Sequence, residues 1–101
     1  MKVSKEAIEE INKLNEISFK LNGGKEETMS YTLESIKEHA EEINQLFSAD
    51  NEHWATETGD LMIHCMKMLL MHGFDLDEMF EKCCERFEDK ISKKLEEKSK
   101  K

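Results

Sequence analysis

The chain has 101 residues, with 23 acidic and 15 basic side chains, a formal net charge of −8, four glycines and no proline. That length is about one domain, and a domain this small leaves much of its surface exposed. The acidic balance argues against nucleic-acid binding, which calls for a basic face, and no apolar run reaches the roughly 18–20 residues needed to span a membrane. Glu and Lys dominate and both tolerate helix well. No run alternates Val, Ile, Thr and aromatics with period 2. The class is therefore all-α.

A first helix is expected from about Ser4, a plausible N-cap, to Leu21, with Ile8, Ile11, Leu14 (or Asn15), Ser18 and Leu21 on one face. Asn22-Gly23-Gly24 stops it, because glycine accepts the left-handed geometry of a helix end. Lys25 to Tyr31 reads as a polar connection. A second helix is expected from near Thr32, with Leu33, Ile36, Ala40, Ile43 and Phe47 as its apolar stripe and Glu34, Glu38, Glu41 and Gln45 opposite. Ser48 to Asn51 is a turn. A central helix from about Glu52 to His72 follows, closed by Gly73 with Phe74 as the accompanying hydrophobic contact. From Leu61 to Met71 only His64 and Lys67 carry polar heads. A helix apolar nearly all round is buried on more than one side, and in a chain this short the second cover is expected from another copy. Asp75 caps a fourth helix, with Glu78 at the third position as in a capping box. Its stripe is Leu76, Phe80, Cys83, Phe87, Ile91 and Leu95, and its lysine-rich end is expected to fray from about residue 92. The expectation is one domain, 1–101, and a four-helix bundle-like subunit.

The three cysteines, Cys65, Cys83 and Cys84, form no CxxC. Cys65 reads as a small hydrophobe, and adjacent Cys83 and Cys84 are poorly placed to bond each other. With no apolar segment at the N-terminus, this predicts a cytoplasmic setting. Zinc-ligand spacing is absent. So are the paired Glu-x-x-His motifs of a di-iron bundle: none of His39, His53, His64 or His72 has a glutamate three residues before it.

The chemistry-bearing residues are carboxylates. Glu38-x-x-Glu41 lies on the second helix and Glu57-x-x-Asp60 near the start of the third. Residues i and i+3 share a helix face, and antiparallel neighbours joined by a short turn bring the two pairs to comparable heights. Four carboxylates around one cleft suit a hard cation, Mg²⁺ or Mn²⁺, and the natural chemistry is hydrolysis at a phosphate. The bland alternative for any one ExxE pair is a solvated face. Glu57 and Asp60 are more telling, because they border the most apolar surface in the chain, where unpaired charge is costly.

Glu38-x-x-Glu41, then Glu57-Thr58-Gly59-Asp60-Leu61, then His72-Gly73-Phe74-Asp75-Leu76-Asp77-Glu78, resembles the MazG family of all-α nucleoside triphosphate pyrophosphohydrolases. Its pattern is EExxE, a spacer of a dozen or more residues, then ExxD. The likeness runs from about Thr32 to Lys90. It implies a four-helix subunit that forms a homodimer or homotetramer, with Mg²⁺-dependent cleavage of a (d)NTP between the α and β phosphates to a nucleoside monophosphate and pyrophosphate. That is a hydrolase acting on acid anhydrides, in housecleaning of the nucleotide pool. It implies Glu38, Glu41, Glu57 and Asp60 as metal ligands. In this register the first glutamate of EExxE is Lys37; in the alternative, Glu41-Glu42-x-x-Gln45, the last ligand is an amide.

Lys82, Arg86 and Lys90 recur every four residues on the fourth helix. The resemblance implies triphosphate contact there, and the residues alone are equally a solvated row paired with Glu78, Glu81 and Glu85. His64 reads either as a contact to substrate or water or as a satisfied core histidine. Phe19, Tyr31 and Trp54 are candidates to stack on a base, with packing the simpler role for Trp54. Met62, Met66, Met68 and Met71 fill a core or subunit interface. The alternative to an enzyme is a non-catalytic helical assembly or nucleotide-binding module with a degenerate metal site.

Overall fold

The computed structural model describes residues 2–100. Among them every regular element is helical: α1 (Lys5–Asn22), α2 (Lys25–Ser48), α3 (Trp54–Met71) and α4 (Leu76–Ser99). The expected boundaries at Ser4, Gly23, Gly73 and Asp75 are present. The Ser4 side chain caps α1 by accepting from the Ala7 N–H. Gly23 closes it at φ 94°, a left-handed conformation that favours glycine. At the end of α3 the Phe74 and Gly73 N–H groups bond back to the carbonyls of Leu69 (3.0 Å) and Leu70 (3.1 Å), with Gly73 at φ 77°. This is the paired closure of a Schellman motif. Asp75 accepts from the Glu78 N–H at 3.0 Å and starts α4.

The expected polar connection over Lys25 to Tyr31 is instead the first two turns of α2. The chain reverses within Gly23-Gly24, and Glu26 and Glu27 then stand in the first turn, where acidic groups complement the helix dipole. Thr28, within the expected connection, and Thr32, at the expected helix start, face inward and are almost fully buried. Each hydroxyl donates to the carbonyl four residues back, Thr28 to Gly24 at 2.7 Å and Thr32 to Thr28 at 2.8 Å. Helix and burial thereby satisfy the same polar group.

α2 and α3 pack as antiparallel neighbours, α1 lies against both, and α4 meets α3 alone. Asn15 Nδ2 donates to the Lys67 carbonyl (3.2 Å) and Lys67 Nζ donates to Ser18 Oγ (3.0 Å), a polar strap between α1 and α3. Because α4 projects, the radius of gyration is 16.8 Å, against about 13 Å for a compact domain of 100 residues. The bundle is thus three helices with a fourth extending from one of them. The stretch expected to fray from residue 92 is helical to Ser99 and exposed throughout; Lys101 lies outside the described residues.

The buried apolar set is small: Ile11, Met71 and Leu76. On α2 the apolar stripe is covered only in part, with Ile36 and Ile43 half-buried. Leu33, Ala40 and Phe47 are exposed, while Thr28, Thr32, Ser35 and His39 turn inward to varying degrees. On α4, Phe80, Phe87, Ile91 and Leu95 are exposed. One flank of α3 opens into an apolar groove of about 470 Å³ that includes Leu61, Met62, Met66, Leu69, Met79 and Phe80.

Candidate functional site

Of the 23 acidic residues, Glu57 is the one that the fold buries, at 9% exposure. It sits in the first turn of α3, and a buried carboxylate is costly unless partnered. Both of its oxygens are partnered by imidazoles. Oε2 is hydrogen-bonded to His39 Nδ1 across from α2, and Oε1 lies 3.3 Å from His53 Nε2 one turn earlier. Glu42, one turn along α2 from His39, completes a group in which His39, Glu42 and Glu57 each offer a ligand atom within 4.8 Å of the others.

The charges within this group are coupled. The Glu42 carboxyl is pushed above its ordinary range, first by its hydrogen bond to Glu57 and then by that carboxylate's charge. Glu57 is held below the ordinary range, chiefly by the hydrogen bond from His39. Two carboxylates this close disfavour full ionisation of both, which is the direction in which Glu42 is pushed. A divalent cation would offset that repulsion. One imidazole nitrogen and two carboxylate groups form a donor set that fits such an ion.

The His39 ring lies against that of His64, with centroids 5.2 Å apart and planes tilted by 32°. His64 in turn lines a cavity of about 530 Å³ between α1, α2 and α3, together with Tyr31, Thr32, Ser35 and Lys67. Burial lowers the proton affinity of both His64 and Lys67, with the Lys67 charge acting further on His64. The carboxylate group and the cavity therefore share a wall.

A family model for the MazG nucleotide pyrophosphohydrolase domain matches residues 24–100. The chain belongs to this family. No curated protein and no solved structure gives a match. The MazG pattern EExxE, then ExxD, fits the chain in a register that neither Lys37 nor Gln45 disturbs: Glu38-His39-x-x-Glu42, a spacer, then Glu57-x-x-Asp60. A histidine stands at its second position. That register was the available signal for His39 and Glu42, and a search for carboxylates alone passes over it.

Of the four carboxylates expected from the sequence, the close group contains Glu57 and not Glu38, Glu41 or Asp60, all three of which are exposed. Glu38 is four residues from Glu42, and Asp60 three from Glu57, so both flank the group on its own helix faces. Asp60 also acts on His64, where its charge raises proton affinity. Glu41 is rotated about 100° from Glu42, away from His39. Of the expected substrate contacts, His64 lines the cavity, and no α4 residue does. Arg86 and Lys90 instead border a small pocket on α4 with Cys83 and Phe87. Trp54 packs edge-on against Phe47 with centroids 5.5 Å apart, pinning the α2–α3 turn. Tyr31 is exposed beside the cavity. Among the described residues, no helix is long and apolar enough to cross a membrane.

Proposed function

We propose that this MazG-family chain hydrolyses a nucleoside triphosphate between its α and β phosphates, releasing a nucleoside monophosphate and pyrophosphate, in the removal of surplus or unwanted nucleotides. The observation that carries the reading is His39 against His64, which joins a buried carboxylate–imidazole group to a cavity with a lysine in its wall.

His39, Glu42 and Glu57 would hold a divalent cation, with Glu38 and Asp60 on the flanks. The ion expected from an all-carboxylate set is Mg²⁺, with Mn²⁺ the close alternative. When bound, such an ion neutralises phosphate charge and makes a water more acidic. The protein side chains do the positioning. His53 lies against the outer Glu57 oxygen, and an ion held by His39 and Glu57 would take the place of the hydrogen bond between them. Lys67, held by Ser18, offers a cation in a partly desolvated wall, where attraction for phosphate is stronger than in water. Tyr31 gives the base a ring to stack on. A water oriented by the carboxylates attacks one phosphorus of the α–β anhydride. A new O–P bond forms, the bridging O–P bond breaks with its electron pair on the departing phosphate group, and the water's proton passes to solvent.

The working form is a homo-oligomer, a dimer or a tetramer. Phe80, Phe87, Ile91 and Leu95 line one face of α4 in steps of seven and four residues and are exposed among the described residues. The occupant is a second copy. Residues 75–89 carry mostly acidic charge and residues 90–100 mostly lysine, so two α4 helices running antiparallel set unlike charges against each other. Lys82, Arg86 and Lys90 stand away from that face of α4 and remain exposed.

Pyrophosphate release from a panel of NTPs and dNTPs, with metal or EDTA, tests the reading. Metal-dependent release with a monophosphate product supports it. Orthophosphate with a diphosphate product means a different bond is cut. A folded, metal-loaded protein with no turnover on any substrate leaves a non-catalytic nucleotide-binding or assembly module.

A further inference from the structure

An all-oxygen site and a mixed nitrogen–oxygen site do not select the same ion. Mg²⁺ demands oxygen donors in near-ideal octahedral geometry and keeps much of its water. An imidazole nitrogen suits first-row transition ions such as Fe²⁺, Co²⁺, Ni²⁺ and Zn²⁺. In this chain one of the three converging donors is an imidazole, His39, with Glu42 and Glu57. The ring is not a passing surface group. Its side chain is 20% exposed, Nδ1 is directed at the Glu57 carboxylate, and its face is backed by the His64 ring. A second imidazole, His53, reaches the other Glu57 oxygen from solvent. Two histidines thus converge on the single buried carboxylate of a chain that has four histidines in all.

We infer that His39 is a nitrogen ligand that turns this site from Mg²⁺ toward a borderline transition-metal ion. The inference rests on the reading of His39, Glu42 and Glu57 as the metal group, but not on hydrolysis. Transition ions outrank Mg²⁺ at nearly any site of nitrogen and oxygen donors, so a raw preference proves nothing. What this site adds is a part of the preference that belongs to His39.

The test is calorimetric and spectroscopic on the full, metal-free chain. Co²⁺ and Mg²⁺ are titrated separately into the wild type, His39→Glu, His39→Gln and the distant control His72→Gln, with circular dichroism to confirm helix content. The Co²⁺ visible bands are recorded for each. The ratio of Co²⁺ to Mg²⁺ affinity is expected to fall about tenfold or more in His39→Glu. Co²⁺ affinity is expected to fall by a similar factor in His39→Gln. The bands are expected to shift in both, and His72→Gln to match the wild type. An unchanged ratio and spectrum in both His39 variants overturns the inference, as does failure of the wild type to bind one Co²⁺ per chain. The two readings fail separately. A His39-dependent ratio in a protein that releases no pyrophosphate leaves the metal inference standing without the hydrolase. Turnover with Mg²⁺ that is indifferent to His39→Gln does the reverse.

Discussion

The His39 and His64 rings, 5.2 Å apart at their centroids, are where a group of converging ligand atoms meets a cavity. His39 belongs to the carboxylate group and His64 to the cavity wall. A ligand that spans both faces would set its charged part at Glu57 and its remainder between Tyr31 and Lys67.

Neutralising the carboxylates one at a time separates the group from its surroundings. Glu57→Gln and Glu42→Gln should each lower metal affinity at least about 100-fold, beyond the usual cost of losing a supporting contact. Glu38→Gln and Asp60→Asn, on the flanks, should cost less. Glu41→Gln, turned away from the group, should change affinity by no more than about twofold. A Glu41 effect as large as that of Glu42 would restore the register read first from the sequence. The measurement is calorimetric titration with one divalent ion across the five variants.

Much of this was legible in the sequence and some was not, for physical reasons. The glycine stops at Gly23 and Gly73 and the caps at Ser4 and Asp75 use short-range chemistry, and they appear where expected. Glu57 stood out because it borders apolar surface, and it is the buried acid. The start of α2 was hidden because Thr28 and Thr32 satisfy their hydroxyls on the preceding turn and so can be buried without being apolar. The apolar stripe of α2 marks its inner face only in part, because Ile36 and Ile43 are half-buried while Leu33, Ala40 and Phe47 remain exposed in a single chain. His39 is a tertiary feature: its partner Glu57 lies 18 residues on, and periodicity carries no trace of that contact.

The turn between α1 and α2 offers a stability test. Thr28 Oγ1 donates to the Gly24 carbonyl, lies 3.2 Å from the Ser18 carbonyl and accepts from Asn22 Nδ2 at 3.3 Å. Thr28→Val keeps the shape and strands these partners. Urea denaturation should show a loss of about 1–3 kcal/mol. A neutral result would mean that the hydroxyl network does not hold the turn.

His64 makes a pH prediction with a defined sign. Burial, with the charges of Lys67 and His39, lowers its folded-state proton affinity below the ordinary value of 6.5, and Asp60 opposes only in part. Between the lowered value and 6.5 the unfolded chain binds the proton more strongly, so stability falls as pH drops through that window and levels off below it. His64→Gln should remove this part of the slope. Urea midpoints of both proteins across the window check it, and parallel slopes would contradict it.

Self-assembly through α4 predicts that Phe87→Glu and Ile91→Glu shift the protein toward monomer in light scattering coupled to gel filtration. Helix content should be retained, because both side chains are exposed in the single chain. A wild type that is already monomeric at high concentration, or variants that assemble unchanged, would remove α4 as the interface.

The most direct test of the central claim is product analysis of nucleotide turnover by wild type and Glu57→Gln side by side, with divalent metal supplied and then chelated. The account predicts a nucleoside monophosphate and pyrophosphate in equal amounts from at least one triphosphate. It predicts loss of both on chelation, and at least about a 100-fold loss in Glu57→Gln. Turnover that is unaffected by Glu57→Gln, or no turnover of any triphosphate by the folded, metal-loaded wild type, would contradict it.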